Sequence, residues 1–185
     1  MNYWIGQTFG IIATVVGLLI PLFQKKWQML IANFCNNLLL ALNLVFLDEV
    51  GSGIFLFLVA MLQAVVNFIH CMRKTTGKPF ENVLFLCLYL GLGFYGLFTA
   101  PGFVFALNGK NLLELLPIVG AVFSMLFISE KNENRSRWYY MGCSFVWFVY
   151  YIIIGSSSLL GSLLSLITGT VAIARSKKEK STHGH

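Results

Sequence analysis

Most of this chain is apolar on every face a helix could present, with short polar or glycine-rich breaks between the apolar runs. The runs cover approximately 3–23, 27–47, 52–72, 82–101, 112–129, 138–154 and 157–175. A helix needs roughly 20 mostly apolar residues to cross about 30 Å of hydrocarbon. Helix is the predicted form because backbone groups in lipid must find partners within their own segment. Two tight breaks decide the count. Asp48-Glu49-Val50-Gly51-Ser52 separates the second run from the third, and Gly155-Ser156-Ser157-Ser158 separates the sixth from the seventh. The pattern predicts an all-α membrane protein with seven transmembrane helices.

Composition agrees. Only 11% of the 185 residues are charged and 57% are hydrophobic, whereas a water-soluble domain carries about a quarter charged residues. Thirteen Lys and Arg against seven Asp and Glu give a net charge of +6. The basic residues lie between apolar runs, so they report orientation rather than nucleic-acid binding. With seven spans, one side receives Lys25, Lys26, Arg73, Lys74, Lys78, Lys131, Arg135, Arg137, Arg175, Lys177, Lys178 and Lys180. The other receives Lys110 alone, with the acidic pair Asp48 and Glu49. The positive-inside rule then places the N-terminus outside and the C-terminus in the cytoplasm. The sequon Asn134-Arg135-Ser136 falls on the cytoplasmic side and is expected to carry no glycan. Met1-Asn2-Tyr3-Trp4 offers no basic n-region, so the first run is expected to stay in the protein as a span.

Connection lengths divide the chain into three spans, one span and three spans. The expected units are a first three-helix bundle (1–74), a linker helix with flanking loops (75–110), a second three-helix bundle (111–178) and a polar tail (179–185). Triplets of odd span number, duplicated directly, would point in opposite directions. A lone intervening helix restores a common orientation, giving two parallel repeats about an axis along the membrane normal. The offset relating the halves lies near 104 to 107 residues.

This plan resembles the SWEET, PQ-loop and PnuC superfamily of small-solute transporters, and more narrowly the YgjV family of bacterial inner-membrane proteins. The residues that carry the resemblance are Glu114-Leu115-Leu116-Pro117-Ile118-Val119-Gly120 and the turn-plus-helix stretches Gly51 to Arg73 and Gly155 to Arg175. It implies a transporter-like, SWEET-like 3+1+3 fold in the inner (plasma) membrane, and it implies no particular substrate. The chain departs from the wider superfamily in lacking any Pro-Gln dipeptide, and PnuC's aromatic- and amide-rich motif has no clear match.

Polar residues inside the spans carry the remaining information, since an amide in lipid is costly unless partnered. Asn33, Asn36, Asn37 and Asn43 cluster in the second span, with 33, 36 and 43 spaced to share one face. Gln63, Asn67 and His70 form a stripe on the third. In the sixth, Tyr140, Ser144, Trp147 and Tyr151 can share a face, and Trp147 lies near mid-membrane. In the seventh, Gly161, Ser165 and Gly169 form a small-residue stripe suited to close helix approach. Glu114 is the lone carboxylate within a predicted span. It reads either as a proton- or cation-coupling group or, with Asn111 three residues earlier, as a helix cap. Cys35, Cys71, Cys87 and Cys143 are scattered without CxxC or metal-ligand spacing, so no metal or cofactor is expected.

The expected function is a small-solute transporter or facilitator for a neutral, hydrogen-bonding molecule, alternating access between two bundles. The expected solute-binding residues are Asn36, Asn43, Gln63, Asn67 and Trp147. A non-transporting receptor, assembly partner or scaffold on the same fold is the alternative. No catalytic motif appears, so an enzyme is not expected. The expected partners are the bilayer and the solute, without nucleic acid; a homo-oligomer stays open.

Overall fold

A computed structural model describes residues 2–46, 52–75, 77, 79–99, 109–154 and 159–182. Among these residues there are seven α-helices and no strand: α1 (Asn2–Leu19), α2 (Lys26–Phe46), α3 (Ser52–Met72), α4 (Pro79–Thr99), α5 (Gly109–Ser129), α6 (Glu133–Ile154) and α7 (Leu159–Thr182). The expected breaks at Asp48 to Gly51 and at Gly155 to Ser158 lie outside the described residues.

Local chemistry explains the helix ends. Pro21, which cannot extend an α-helix, turns the end of α1 into one 3-10 turn, Ile20–Leu22. Asn132 starts α6 as an N-cap, its Oδ1 accepting from the amides of Asn134 (3.0 Å) and Arg135 (3.3 Å). That cap puts the start of α6 at Glu133, five residues before the apolar run, so Arg137 is helical. At the end of α3, Lys74 takes the left-handed conformation (φ 53°) and the Thr75 amide donates back to His70 O at 3.0 Å. The last helix continues beyond the apolar run into the basic segment, reaching Thr182. Likewise α5 begins at Gly109, so Asn111 lies inside its first turn rather than before it.

Six helices close into a ring by neighbour contacts: α1–α2, α2–α3, α3–α5, α5–α6, α6–α7 and α7–α1. The seventh, α4, packs against α3 and α5, where Ile118 fills the space beside Gly93. Exchange α1, α2 and α3 for α5, α6 and α7, and the ring's neighbours are unchanged.

The bundle is turned inside out relative to a soluble protein. Trp4, Ile11, Leu62, Phe80, Phe145 and Ile167 are exposed, while Lys26, Asn33, Asn37, Gln63, Ser136, Arg137, Ser144 and Ser165 are buried. Lipid is the environment in which such an apolar exterior is stable. Three helical stretches are long and apolar enough to cross a membrane: Tyr3–Leu22, Ile54–Met72 and Pro79–Gly96. Leu115–Ser129 and Leu160–Ser176 are shorter apolar helices. The two helices outside this set, α2 and α6, are the central members of their triplets and bring most of the polar groups into the interior.

Candidate functional site

One end of the bundle gathers the start of α2, the end of α1, the end of α5 and the start of α6; with Lys25, Lys131, Arg135 and Arg175 around it, this is the basic end. The last four carbonyls of a helix have no partner within it. At the end of α5, the Phe127 carbonyl accepts from Lys26 Nζ at 2.5 Å and from Ser136 Oγ at 2.9 Å. Lys26 Nζ also donates to Ser136 Oγ at 2.7 Å and lies 4.6 Å from the Phe127 ring centroid. At the end of α1, Arg137 Nε donates to Pro21 O at 3.0 Å and NH2 donates to Phe23 O at 2.9 Å. A third guanidinium nitrogen donates to Asn134 Oδ1 at 2.9 Å, which also accepts from Ser176 Oγ of α7 at 2.5 Å.

These bonds are reciprocal. The first turn of α2 caps the end of α5, and the first turn of α6 caps the end of α1. Both side chains are buried, at 8% and 6% exposure. One residue outside the second apolar run, burial pulls the Lys26 ammonium down to about 7, while Glu130, Glu133 and Cys71 oppose that shift. A turn further in, Tyr140 OH donates to Gly17 O at 2.5 Å and its ring meets that of Phe127 edge-on at 5.3 Å.

Next to this clasp lie the interior amides. Lys26, Leu30, Asn33 and Asn37 share one face of α2, and all four are buried. Lys26 reaches α5 and α6 from that face, so the face is turned to the second triplet. Asn37 Nδ2 donates to Asn33 O at 2.7 Å, whereas Asn33 Nδ2 is buried with no partner. Gln63 of α3 is fully buried and crosses to α5, its Nε2 donating to Ser129 Oγ at 2.8 Å and Met125 O at 3.2 Å. Its Oε1 has no partner, and neither does the buried Tyr89 hydroxyl of α4.

The expected binding residues do not converge on one pocket. Asn36 is half-buried beside Gly17 and Tyr140. Asn43 Nδ2 donates to Gly6 O at 2.7 Å, tying α2 to α1 within one triplet. Asn67 Nδ2 donates to Gln63 O at 3.0 Å along its own helix. Trp147 lies against Gly120 of α5 and meets Tyr150 edge-on at 5.7 Å. Glu114 is in α5, but its side chain, like that of Tyr151, lies outside the description. His70 bridges to α4, with Nε2 2.8 Å from Glu81 Oε2 and Nδ1 3.0 Å from Thr75 Oγ1. In α7, Gly161 meets Thr14 of α1 while Gly169 meets Met141 of α6. A groove of about 170 Å³ between α2 and α3 is apolar, lined by Leu30, Ile31, Phe34, Ala64, Val65 and Phe68; none of the five expected residues lines it. Among the described residues no group of three His, Cys, Asp or Glu is placed to hold a metal ion.

Sequence reading missed the clasp, because Lys26 and Arg137 stand at the edges of apolar runs and look like interfacial charges. A usable signal exists. Each continues the polar stripe of its helix outward: Lys26 two turns below Asn33, and Arg137 one turn below Tyr140.

A family model described as "Bacterial inner membrane protein" matches residues 4–180 of the chain. No curated protein and no solved structure matches it.

Proposed function

The chain belongs to this Imp-YgjV family of bacterial inner membrane proteins, and on that premise we propose that it is a transporter or facilitator for a small, neutral, hydrogen-bonding solute. All seven helices cross the membrane, with the N-terminus outside and the basic end in the cytoplasm, as the segregation of basic residues supports. Helices α1–α3 and α5–α7 are parallel bundles and α4 is the connector that turns the second to match the first. The exchange of ring neighbours and the reciprocal capping by Lys26 and Arg137 support this duplicated, SWEET-like arrangement.

The observation that carries transport is the pair of orphaned amide atoms. Asn33 Nδ2 is a donor and Gln63 Oε1 an acceptor, both buried and both unpartnered. Asn33 lies about 10 Å along α2 from Lys26, and Gln63 about 14 Å along α3 from Met72. Both lie on faces turned toward the other triplet, with Gln63 held at the last turns of α5 by its bonds to Met125 O and Ser129 Oγ. A buried unpartnered polar group costs about 1–3 kcal/mol, so a bound molecule that supplies both partners would gain that energy back. Amides select a neutral solute by hydrogen bonding without attracting an ion. Gln63 and Asn33 are its primary contacts, with Asn36 and Asn67 beside them. Asn43 and Trp147 hold their triplets in shape, and Glu114 stands at the outer mouth. With Lys26, Arg137 and Tyr140 joining the triplets, the structure corresponds to a conformation closed to the cytoplasm. Rocking of the triplets opens it.

The test is uptake of labelled sugars, nucleosides and vitamin-like solutes into proteoliposomes. Saturable uptake of at least one, weakened tenfold or more in KM by Asn33→Leu or Gln63→Leu, is expected. A null result across all three classes overturns transport.

A second reading is a scaffold or assembly partner, favoured by the bonds from Gln63 Nε2 to Met125 O and Ser129 Oγ. Interhelical amide bonds of this kind hold membrane bundles together at about 1 kcal/mol each or less. It predicts that Gln63→Leu alters stability or assembly with no uptake to lose.

A further inference from the structure

We propose that the apolar groove between α2 and α3 is a lipid site: it takes one acyl chain of an anionic phospholipid whose phosphate is held at the basic end by Arg73, within the positive field of Lys25 and Lys74. The site lies beside the interior, within one triplet. It needs the chain to sit in a bilayer and does not rest on transport.

The groove opens to the lipid side and runs to the basic end. Two of its lining residues, Leu30 and Ala64, are buried, while Ile31 and Val65 are 42% and 40% exposed and form its rims. On α2, Trp27, Ile31 and Phe34 stand at i, i+4 and i+7; on α3, Val65, Phe68 and Met72 stand at i, i+3 and i+7. The first stripe begins in the opening turn of α2 and the second finishes in the closing turn of α3. Trp27 and Met72 are exposed where the two stripes reach that end. A tryptophan so placed marks the headgroup boundary.

Size and lining point to a methylene chain. An α-helix with its side chains is about 10–12 Å across, too wide for a groove of about 170 Å³ between two helices in contact. An unbranched hydrocarbon tail fits such a slot and asks for no hydrogen-bond partner, which the six apolar side chains around it could not supply.

Charge selects the headgroup. Arg73 and Lys74 are exposed just past the end of α3, and Lys25 is exposed just ahead of α2. The positive end of the α2 dipole lies at the same level. Among the described residues none of these three side chains pairs with a carboxylate, and Glu81, at the start of α4, is taken by His70. A guanidinium matches a phosphate through two parallel hydrogen bonds. A zwitterionic headgroup would bring a cation of its own into this field, and an anionic one does not.

The experiment is native mass spectrometry of the full chain released from an uncharged detergent, with phosphatidylglycerol or phosphatidylcholine of the same acyl chains added at equal concentration. A single phosphatidylglycerol retained about tenfold more tightly than phosphatidylcholine is expected. Val65→Trp covers the groove from its exposed rim and weakens retention of both lipids; if its helical circular dichroism is lost, Ile31→Trp on the opposite rim gives the same reading. Arg73→Gln with Lys25→Gln removes the preference for the anionic lipid. Lys131→Gln with Arg135→Gln, an equal charge change on the second triplet, leaves it intact. Equal retention of both lipids, retention that survives the rim substitution, or a preference lost equally in the second-triplet pair overturns the proposal. A dimer that Val65→Trp abolishes, with no lipid retained, would assign the groove to a second copy of the chain and overturn it too. Uptake plays no part, so a failed transport assay leaves this result standing.

Discussion

Lys26 and Phe127 are 101 residues apart, yet Nζ of one caps the carbonyl of the other at 2.5 Å. The counterpart at the other helix end is Arg137, which caps Pro21 O from 116 residues away. Each triplet thus completes the backbone of the other. Two helix ends whose last carbonyls would otherwise need water are closed by side chains from the other triplet.

Removing one half of this exchange should be costly. Arg137→Ala strips donors from Pro21 O, Phe23 O and Asn134 Oδ1, and a loss of about 3 kcal/mol is expected for hydrogen bonds from a charged group. Arg137→Lys should not restore it, because a single ammonium cannot reproduce the guanidinium fork. Denaturant unfolding in mixed micelles measures both. A loss below about 1 kcal/mol for the alanine variant would contradict the capping role.

Gly10 and Asn43 should behave as one unit. A methyl group at position 10 would lie 2.6 Å from Asn43 Nδ2, the atom that donates to Gly6 O. Gly10→Ala and Asn43→Ala should each destabilise by about 1 kcal/mol. The double variant should cost less than their sum, since the first change already displaces the amide. Additivity in a double-mutant cycle would mean that the two do not share this contact.

Substitutions at Gln63 separate stability from transport. Gln63→Leu gives up bonds to α5 but also removes the orphaned Oε1, so its stability should stay within about 1 kcal/mol of the parent. Gln63→Glu places an ionisable group without a counter-charge at the same buried point and should destabilise by several kcal/mol at pH 7. Thermal unfolding in detergent distinguishes them. Equal loss in both would assign Gln63 a purely structural role.

Lys74 adopts φ 53°, a region in which a side chain costs roughly 1–2 kcal/mol and glycine costs little. Lys74→Gly should raise the unfolding midpoint slightly, by the equivalent of about 1 kcal/mol or less. A lower midpoint would show that the lysine side chain makes a stabilising interaction with headgroups or neighbours.

A reporter fused after His185 should be accessible from the cytoplasm alone, and one fused before Met1 from outside alone. Protease protection of membrane vesicles reads both. Either terminus on the opposite side would overturn the odd number of crossings and the parallel triplets with it.

Much of the fold was legible in advance. Seven apolar runs became seven helices because hydropathy acts residue by residue. Pro21, Asn132 and Lys74 set their helix ends through bonds that reach no further than five residues. The amide stripes were legible as stripes, but their partners were not. The stripe alone leaves α2, α4 and α5 equally open to Gln63, and the structure turns it to Ser129 of α5; it leaves Asn43 the interior or α1, and Asn43 bonds to Gly6 O.

The sequence by itself determined that lipid surrounds this chain, that each apolar run forms a helix, and which residues could not be left facing hydrocarbon. Only the tertiary structure decided which of them meet. Asn33 and Gln63 each retain an unmatched atom, while Lys26 and Arg137 cross between triplets. The reason is physical: the cost of a polar group in lipid belongs to the group alone, but its satisfaction depends on a partner that distant segments must bring within about 3 Å.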